Sequence, residues 1–215
     1  MPTFEIEEEH SSECKICGID EAGLGAIAGP VVVASCCFTN RELSEDFLNY
    51  IDDSKKLSRK KRDLACEKIT TNSCVIFGVS VIDAKMIDEI GLAPAWKMGV
   101  VSSVENSGLG GELICLIDGV RSVDIPNCQT RTIIDGDEKS YSIAAASIIA
   151  KVTRDRTMFR IHNMYPDYGF DKHVGYGTRS HIDALKRVGP CEYHRKSYAI
   201  NRAALHEFEH RKHVS

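Results

Sequence analysis

No stretch of this 215-residue chain approaches the run of about eighteen apolar residues that a membrane span requires, although 43% of its residues are hydrophobic. A soluble protein is expected. The first thirteen residues, MPTFEIEEEHSSE, hold five acids and neither lysine nor arginine, the reverse of a signal or transit peptide. Residues 1–13 therefore read as a solvated acidic tail. Internal repeats and low-complexity linkers are absent, and the length suits one well-buried domain with at most a small appendage, so a single core is expected. An even cysteine set is lacking too: there are nine, and most lie in apolar surroundings, as at Cys36, Cys37 and Cys115. Such cysteines behave as small hydrophobes in a reducing cytoplasm. Cys14-x-x-Cys17 has no second pair at matching spacing, and His10 alone does not complete a zinc site. The formal charge of −4 is more than accounted for by the five acids of the tail, so its sign says nothing against a polyanionic partner.

What is present centres on Gly18 to Cys37, GIDEAGLGAIAGPVVVASCC, which reads as strand, turn and strand. Asp20 and Glu21 are adjacent, and neighbouring side chains on a strand point to opposite faces. At a strand end the second can swing round to join the first. The glycine-spaced turn Gly23-Leu24-Gly25 follows at once and lets a ligand approach the backbone closely. Gly23-x-Gly25-x-x-Ala28 also matches a relaxed dinucleotide-binding fingerprint, which would make the chain a nucleotide-cofactor oxidoreductase. That motif needs a helix opening where Gly29-Pro30 and Val31 to Val33 favour a strand.

Further on, Arg41 to Asn49 reads as a short irregular or helical connection. Ser58 is placed to cap a helix over Arg59–Ile69, with Leu57, Leu64, Ala65 and Ile69 as buried positions. Lys55, Lys56, Arg59, Lys60, Lys61 and Arg62 cluster at its start, against the helix dipole, which suits phosphate contact or a solvated face. Val75–Val81 reads as a strand, Ile82–Ile90 as a helix, and Ala95–Val104 as a buried helix with the only tryptophan, Trp96. A glycine-rich loop precedes the apolar run Leu113 to Ile117, which ends in Asp118-Gly119, the way α/β sheets present a carboxylate at a cleft. Thr132–Ile134 is a further short strand. Asp137 lies in the polar turn before an alanine-rich helix that Ser140 or Ser142 can cap. From Tyr165 to about Ile200 aromatics alternate with cations, a composition suited to stacking on bases while holding phosphates. A helix and histidine-rich tail close the chain over residues 201–215.

Asp20, Glu21, Asp118 and Asp137 each end an element and converge if their strands are neighbours. Clustered carboxylates repel and need cations, and an oxygen-only set points to Mg²⁺ or Mn²⁺ rather than zinc. Two such ions about 4 Å apart activate water for phosphodiester cleavage. The whole series of motifs, GIDEAG with GPVV at 18–33, DSKKLS at 53–58, LIDG at 116–119, GDEKSYSIAAASIIAKVTRD at 136–155, GYGTRSH at 175–181 and HRKSY at 194–198, resembles the ribonuclease HII family.

The resemblance implies an α/β fold: a ribonuclease H-like mixed sheet flanked by helices, with a C-terminal helical part, the catalytic domain covering residues 14–200. It implies an endonuclease that hydrolyses the RNA strand of RNA/DNA hybrids and cuts at ribonucleotides embedded in duplex DNA; a cytoplasmic protein and a monomer are expected. The products carry a 5′-phosphate and a 3′-hydroxyl. The family's metal-binding acids fall on Asp20, Glu21, Asp118 and Asp137, its ribose-reading turn on Gly23, Leu24 and Gly25, and its junction-sensing tyrosine on Tyr176. Lys55, Lys56, Lys151 and Arg195 complete the substrate-binding set. Two positions depart from the family pattern: Leu24 stands where arginine is usual, and Ala26 where proline is usual. The short N-terminus lacks the hybrid-binding domain of ribonuclease HIII. A hybrid-binding protein with weakened catalysis is the rival that Leu24 suggests.

Overall fold

The structure, a computed structural model, describes residues 1–10, 14–52, 54 and 57–214. In chain order it contains α1 (Glu5–Glu8), β1 (Lys15–Ala22), β2 (Val31–Phe38), α2 (Glu45–Leu48), α3 (Arg59–Thr71), β3 (Val75–Ile82), α4 (Ala84–Ile90) and α5 (Leu92–Ser107). There follow β4 (Leu113–Asp118), β5 (Cys128–Ile133), α6 (Tyr141–Met164), α7 (Phe170–His173), α8 (Arg179–Val188) and α9 (Ala199–Val214). The chain forms two compact units where one core was expected: Met1–Ala22, Val32–Ser80 and Lys97–Val152 make the first, and Gly23–Val31, Val81–Trp96 and Thr153–Ser215 the second. Among the described residues no helix is long and apolar enough to cross a membrane.

The first unit is built on a mixed sheet of strand order β3-β2-β1-β4-β5, in which β1 runs antiparallel to β2 and parallel to β4, and β4 parallel to β5. The sequence explains which strands are central. In β2, VVVASCCF, every residue is buried, the near-continuous apolar pattern of a strand covered on both faces. β5, CQTRTI, is half-exposed along most of its length and lies at the edge. Its polar alternation hid it, so the strand is longer than the expected Thr132–Ile134. The alanine-rich start of α6 packs directly on β1 at Gly18, where an added Cβ would stand 2.2 Å from the Ile143 backbone nitrogen. Ala144 to Ala146, Ile148 and Ile149 then join Val32, Ala34 and Cys36 in one core. Ser58 caps α3 through Lys61 N–H, as expected, but Leu64 is exposed, at 42%. α5 starts three residues earlier than expected because Pro94 falls in its first turn, where no helical hydrogen bond is lost.

The N-terminal residues are docked rather than solvated. Thr3 bridges Ser140, Phe4 packs edge-on against Phe38, and Glu7 is buried. Glu7 Oε1 accepts from Ser140 Oγ at 2.7 Å and from Ser142 N–H at 3.0 Å, at the start of α6. A carboxylate there meets unsatisfied amides and the positive end of the helix dipole, which is what permits its burial. Ser140 itself caps α6, accepting from Ile143 N–H.

The second unit gathers Ile27, Ala28, Met158, Phe170, Leu185 and Ala204 in its own core. The aromatic and basic segment mostly fills this core instead of forming a stacking surface: Tyr168, Phe170, His173, His181 and His194 are all buried. A small unit needs the large apolar area of such rings. The C-terminal helix is part of the same core, with Asn201 Nδ2 donating to Ile27 O and Arg195 O.

Replacing Glu7 with alanine removes the acceptor shared by Ser140 and Ser142. A loss of about 1–3 kcal/mol is expected, seen as a lower urea midpoint at unchanged slope. An unshifted midpoint would show that the docked N-terminus contributes nothing.

Candidate active site

Register brings the first acids together. β1 and β4 are parallel neighbours with Ile19 opposite Ile117, so Asp20 and Asp118 follow side by side, one residue further along each strand. Both acids of the Asp20–Glu21 pair lie within β1, which continues to Ala22. Asp20 is buried and accepts from the Glu21 N–H at 2.7 Å. Burial, then the charges of Glu21 and Asp118, hold its carboxyl well above the usual carboxylate range, against the opposing effect of a hydrogen bond from Ser147. Ser147 Oγ lies 2.9 Å from Ser54 Oγ, and Arg62 Nη1 donates to Ser54 O and Leu57 O. Arg62 thus holds the carbonyls of Ser54 and Leu57 ahead of α3. Lys55 and Lys56 lie outside the described residues.

Asp118 Oδ1 accepts from Gly136 N–H at 2.7 Å. That bond links the end of β4 to the short 3-10 turn Gly136–Glu138, which carries Asp137 with its side chain buried. Glu21 faces Arg121 at 3.9 Å. The donor set is oxygen throughout, and the mutual repulsion felt by Asp20 is what a hard divalent cation relieves. In chemistry the residues fit such an ion. As the side chains lie, no group of three or more His, Cys, Asp or Glu among the described residues encloses one. Lys151, on α6, is half-buried.

In the second unit the turn from Gly23 to Pro30 is held from behind by two fully buried arginines. Arg195 donates from Nη2 to Gly23 O at 2.7 Å, from Nη1 to Leu24 O at 3.0 Å and from Nε to Gly29 O at 3.1 Å. Arg154 donates from Nε to Pro30 O and from Nη2 to Ala28 O. Gly23 adopts φ +99°, and a Cβ there would strike Arg154 Nε at 2.0 Å. Arg195, expected among the substrate-binding residues, is therefore a brace for the turn, because a guanidinium with no exposed surface and three carbonyl partners has no face left for a phosphate. Burial draws the Arg154 guanidinium down to about 10, so it stays charged at neutral pH. Tyr176 is exposed, its ring beside Gly25 and its centroid 5.2 Å from Arg154 Cζ. Leu24 is half-exposed.

Residues 17–201 match the ribonuclease HII family, 44% of 206 aligned residues are identical to ribonuclease HII of Caldicellulosiruptor bescii, and the alignment covers 94% of this chain and 96% of that one. The chain belongs to the ribonuclease HII family. Members are metal-dependent endonucleases acting on the RNA of RNA/DNA hybrids. Ribonuclease HII of Chlamydia abortus is 42% identical over 196 residues, covering 91% of this chain and 89% of that one. The crystal structure of ribonuclease H2 from Pyrococcus horikoshii superimposes with a TM-score of 0.75 at 22% identity, covering 91% of this chain and 99% of that one. The mixed sheet with flanking helices and a helical C-terminal region is accordingly a ribonuclease H-like fold.

Sequence reasoning passed over Ser147, Arg121 and Arg154, and it read His173, His181 and His194 as aromatics of a stacking surface where they are buried. Ser147 sits inside an apolar run, Arg154 among other charges, and only the folded chain gives either its partner. The histidines make the sharpest electrostatic feature of the second unit. His181 Nε2 and His194 Nε2 are 3.0 Å apart and both rings have no exposed surface. Burial draws His181 down to about 4 and His194 to about 3, and lowers His173 as well. Both folded-state values lie below the ordinary one of about 6.5. The stability they contribute is therefore complete above pH 6.5 and is lost as pH falls from there towards 4. The expected slope approaches ~1.4 kcal/mol per pH unit for each histidine. Urea unfolding at pH 7.5, 6.5, 5.5 and 5.0 measures it, and a flat profile over that range would contradict the neutral, buried assignment.

Proposed function

We propose that this ribonuclease HII cuts at single ribonucleotides embedded in duplex DNA as well as in longer RNA/DNA hybrids, leaving a 5′-phosphate and a 3′-hydroxyl. In this reading Asp20, Glu21, Asp118 and Asp137 are its Mg²⁺ or Mn²⁺ ligands. The observation that carries it is the Asp20 carboxyl, pushed up by its burial and then by the charges of Glu21 beside it and Asp118 on the neighbouring strand. Such crowding costs stability and is relieved by a cation. When bound, a pair of these ions supplies a water of lowered pKa and charge stabilisation for the leaving 3′-oxygen.

The chain's own residues have separate tasks in this reading. Ser147 and the Glu21 amide orient Asp20, and the Gly136 amide orients Asp118. The Glu21–Arg121 pair is long and its arginine is mostly exposed, so turning Glu21 towards an ion costs under about 1 kcal/mol of that contact. Gly23, Leu24 and Gly25 read the ribose, whose 2′-hydroxyl is the direct handle that separates it from deoxyribose, and Tyr176 senses the RNA–DNA junction. Lys55, Lys56 and Lys151 contact the phosphates. Leu24 is tolerated because Arg195 and Arg154, not residue 24, hold the turn's carbonyls. The two buried cations also leave a positive potential behind a turn that carries no cation of its own. Nine free cysteines support action in a reducing cytoplasm; the reading takes the protein as a monomer.

Cleavage of a DNA duplex with one ribonucleotide, beside an RNA/DNA hybrid, with Mg²⁺, Mn²⁺ or chelator, tests the reading. Metal-dependent cutting of both is expected; cutting of the hybrid alone would limit the activity to hybrids, and binding without cutting would favour the rival of weakened catalysis. Asp118→Asn should lower cutting by about 100-fold or more, the scale of loss in a disabled metal shell, while hybrid binding persists. Full activity in that variant would sink the metal assignment. Leu24→Arg should steepen the dependence of log affinity on log salt by about one unit, as one added phosphate contact does. An unchanged slope would place residue 24 away from the phosphates.

A further inference from the structure

The backbone of Tyr176 is the end of a hydrogen-bond relay whose direction is fixed at both termini. At one end the Cys191 N–H lies 3.0 Å from His194 Nδ1. An amide only donates, so Nδ1 accepts and the neutral ring carries its hydrogen on Nε2. That nitrogen is 3.0 Å from His181 Nε2, which must then accept, leaving the His181 hydrogen on Nδ1. His181 Nδ1 is 2.9 Å from the Tyr176 carbonyl oxygen, which only accepts. A second ring works beside the first. His173 stacks on His181 with centroids 4.4 Å apart, takes the Gly175 N–H on Nδ1 at 3.3 Å and donates from Nε2 to Tyr168 O at 2.8 Å. Phe170 packs against all three imidazoles, which keeps water from substituting for any link.

The peptide on the other side of the Tyr176 Cα is held too: Gly175 O accepts from Ile27 N–H at 3.0 Å and Ala28 N–H at 3.2 Å, both in the glycine turn. The relay and the turn thus hold the two peptides that flank the Tyr176 Cα, one on each side. A bland packing role would need only ring shapes; here each nitrogen has a partner of the right polarity.

We propose that His194 and His181 are positioning residues for Tyr176, setting its ring against the glycine turn and thereby the enzyme's preference for a single embedded ribonucleotide over a long hybrid. The proposal rests on the reading of Tyr176 as the junction-sensing residue. Long hybrids offer ribose at every step of one strand, so a displaced Tyr176 is felt less there. The relay holds only with all three rings neutral, since a second proton on His181 or His194 sets two donors face to face. The charged and titratable groups around it are His162 and Asp171, which act on His173, together with Cys191 and Tyr168.

Two measurements test it. Nitrogen-15 spectra of the wild-type protein at pH 7.5 should show His194 protonated on Nε2 and His181 on Nδ1; the opposite tautomers would overturn the relay. Cleavage rates of His181→Phe, Tyr176→Ala and the double variant are then compared on both substrates, with folding checked by circular dichroism at the assay temperature. His181→Phe should lower the single-ribonucleotide to hybrid rate ratio by ~10-fold, the loss of about one positioning hydrogen bond, and the double variant should fall no further than Tyr176→Ala. An equal loss on both substrates, or additive losses in the double variant, would overturn the proposal. An unchanged ratio in Tyr176→Ala would overturn the reading of Tyr176 itself, and is thereby told apart. Should His181→Phe not fold, His194→Gln opens the relay one link earlier and carries the same expectation.

Discussion

Carboxylates held side by side on neighbouring strands are the constraint on which the first unit depends. Asp20 and Asp118 cannot move apart without breaking the parallel register of β1 and β4, and Asp20 lies too deep for water to screen it. A protein that keeps such a cluster bears a cost in stability, and clusters of this kind concentrate at functional sites. The surrounding structure resists relaxation at each point. Gly18 lets α6 press on β1 two residues before Asp20, the Gly136 amide holds Asp118, and Glu7 with Ser140 anchors the start of α6 just after Asp137.

The second unit solves a different problem with the same means, buried charge fixing backbone. Two arginines without exposed surface would cost several kcal/mol each if left unpaired. Their partners are main-chain carbonyls of one turn rather than carboxylates. Carbonyl partners carry no charge of their own, and the carboxylates that act on the pair, Asp155 on Arg154 and Asp88 on Arg195, are not among these bonds. In the proposed reading this places buried positive charge beneath a surface that approaches phosphate.

Much of this was legible in the sequence where a residue's neighbours along the chain decide its fate. The strand, turn and strand of residues 18–37, the Ser58 cap, and the strand ending in Asp118 follow from local pattern, and their motif series pointed to the right family. What was illegible depends on distant partners. Glu7 looks like one more surface acid until Ser140 and Ser142 are found 133 and 135 residues away. Arg195 looks like a phosphate contact because it lies in a basic, aromatic stretch; its carbonyl partners come from residues more than 160 positions earlier. β5 was shortened by its edge position, since a strand with one neighbour need not be apolar.

Leu24, where the family resemblance leads one to expect arginine, sits on the braced turn. If residue 24 held the turn, a leucine there would free the backbone and spoil any reading of the ribose. The turn is instead fixed through its carbonyls at Gly23, Leu24, Ala28, Gly29 and Pro30, all held by Arg195 or Arg154. None of those bonds involves the Leu24 side chain. The side chain at position 24 is thereby left free to vary in charge while its peptide is not free to move. In the proposed reading a leucine keeps the shape of the turn and gives up one long-range attraction, a change that falls on affinity and its salt dependence rather than on which sugar is recognised.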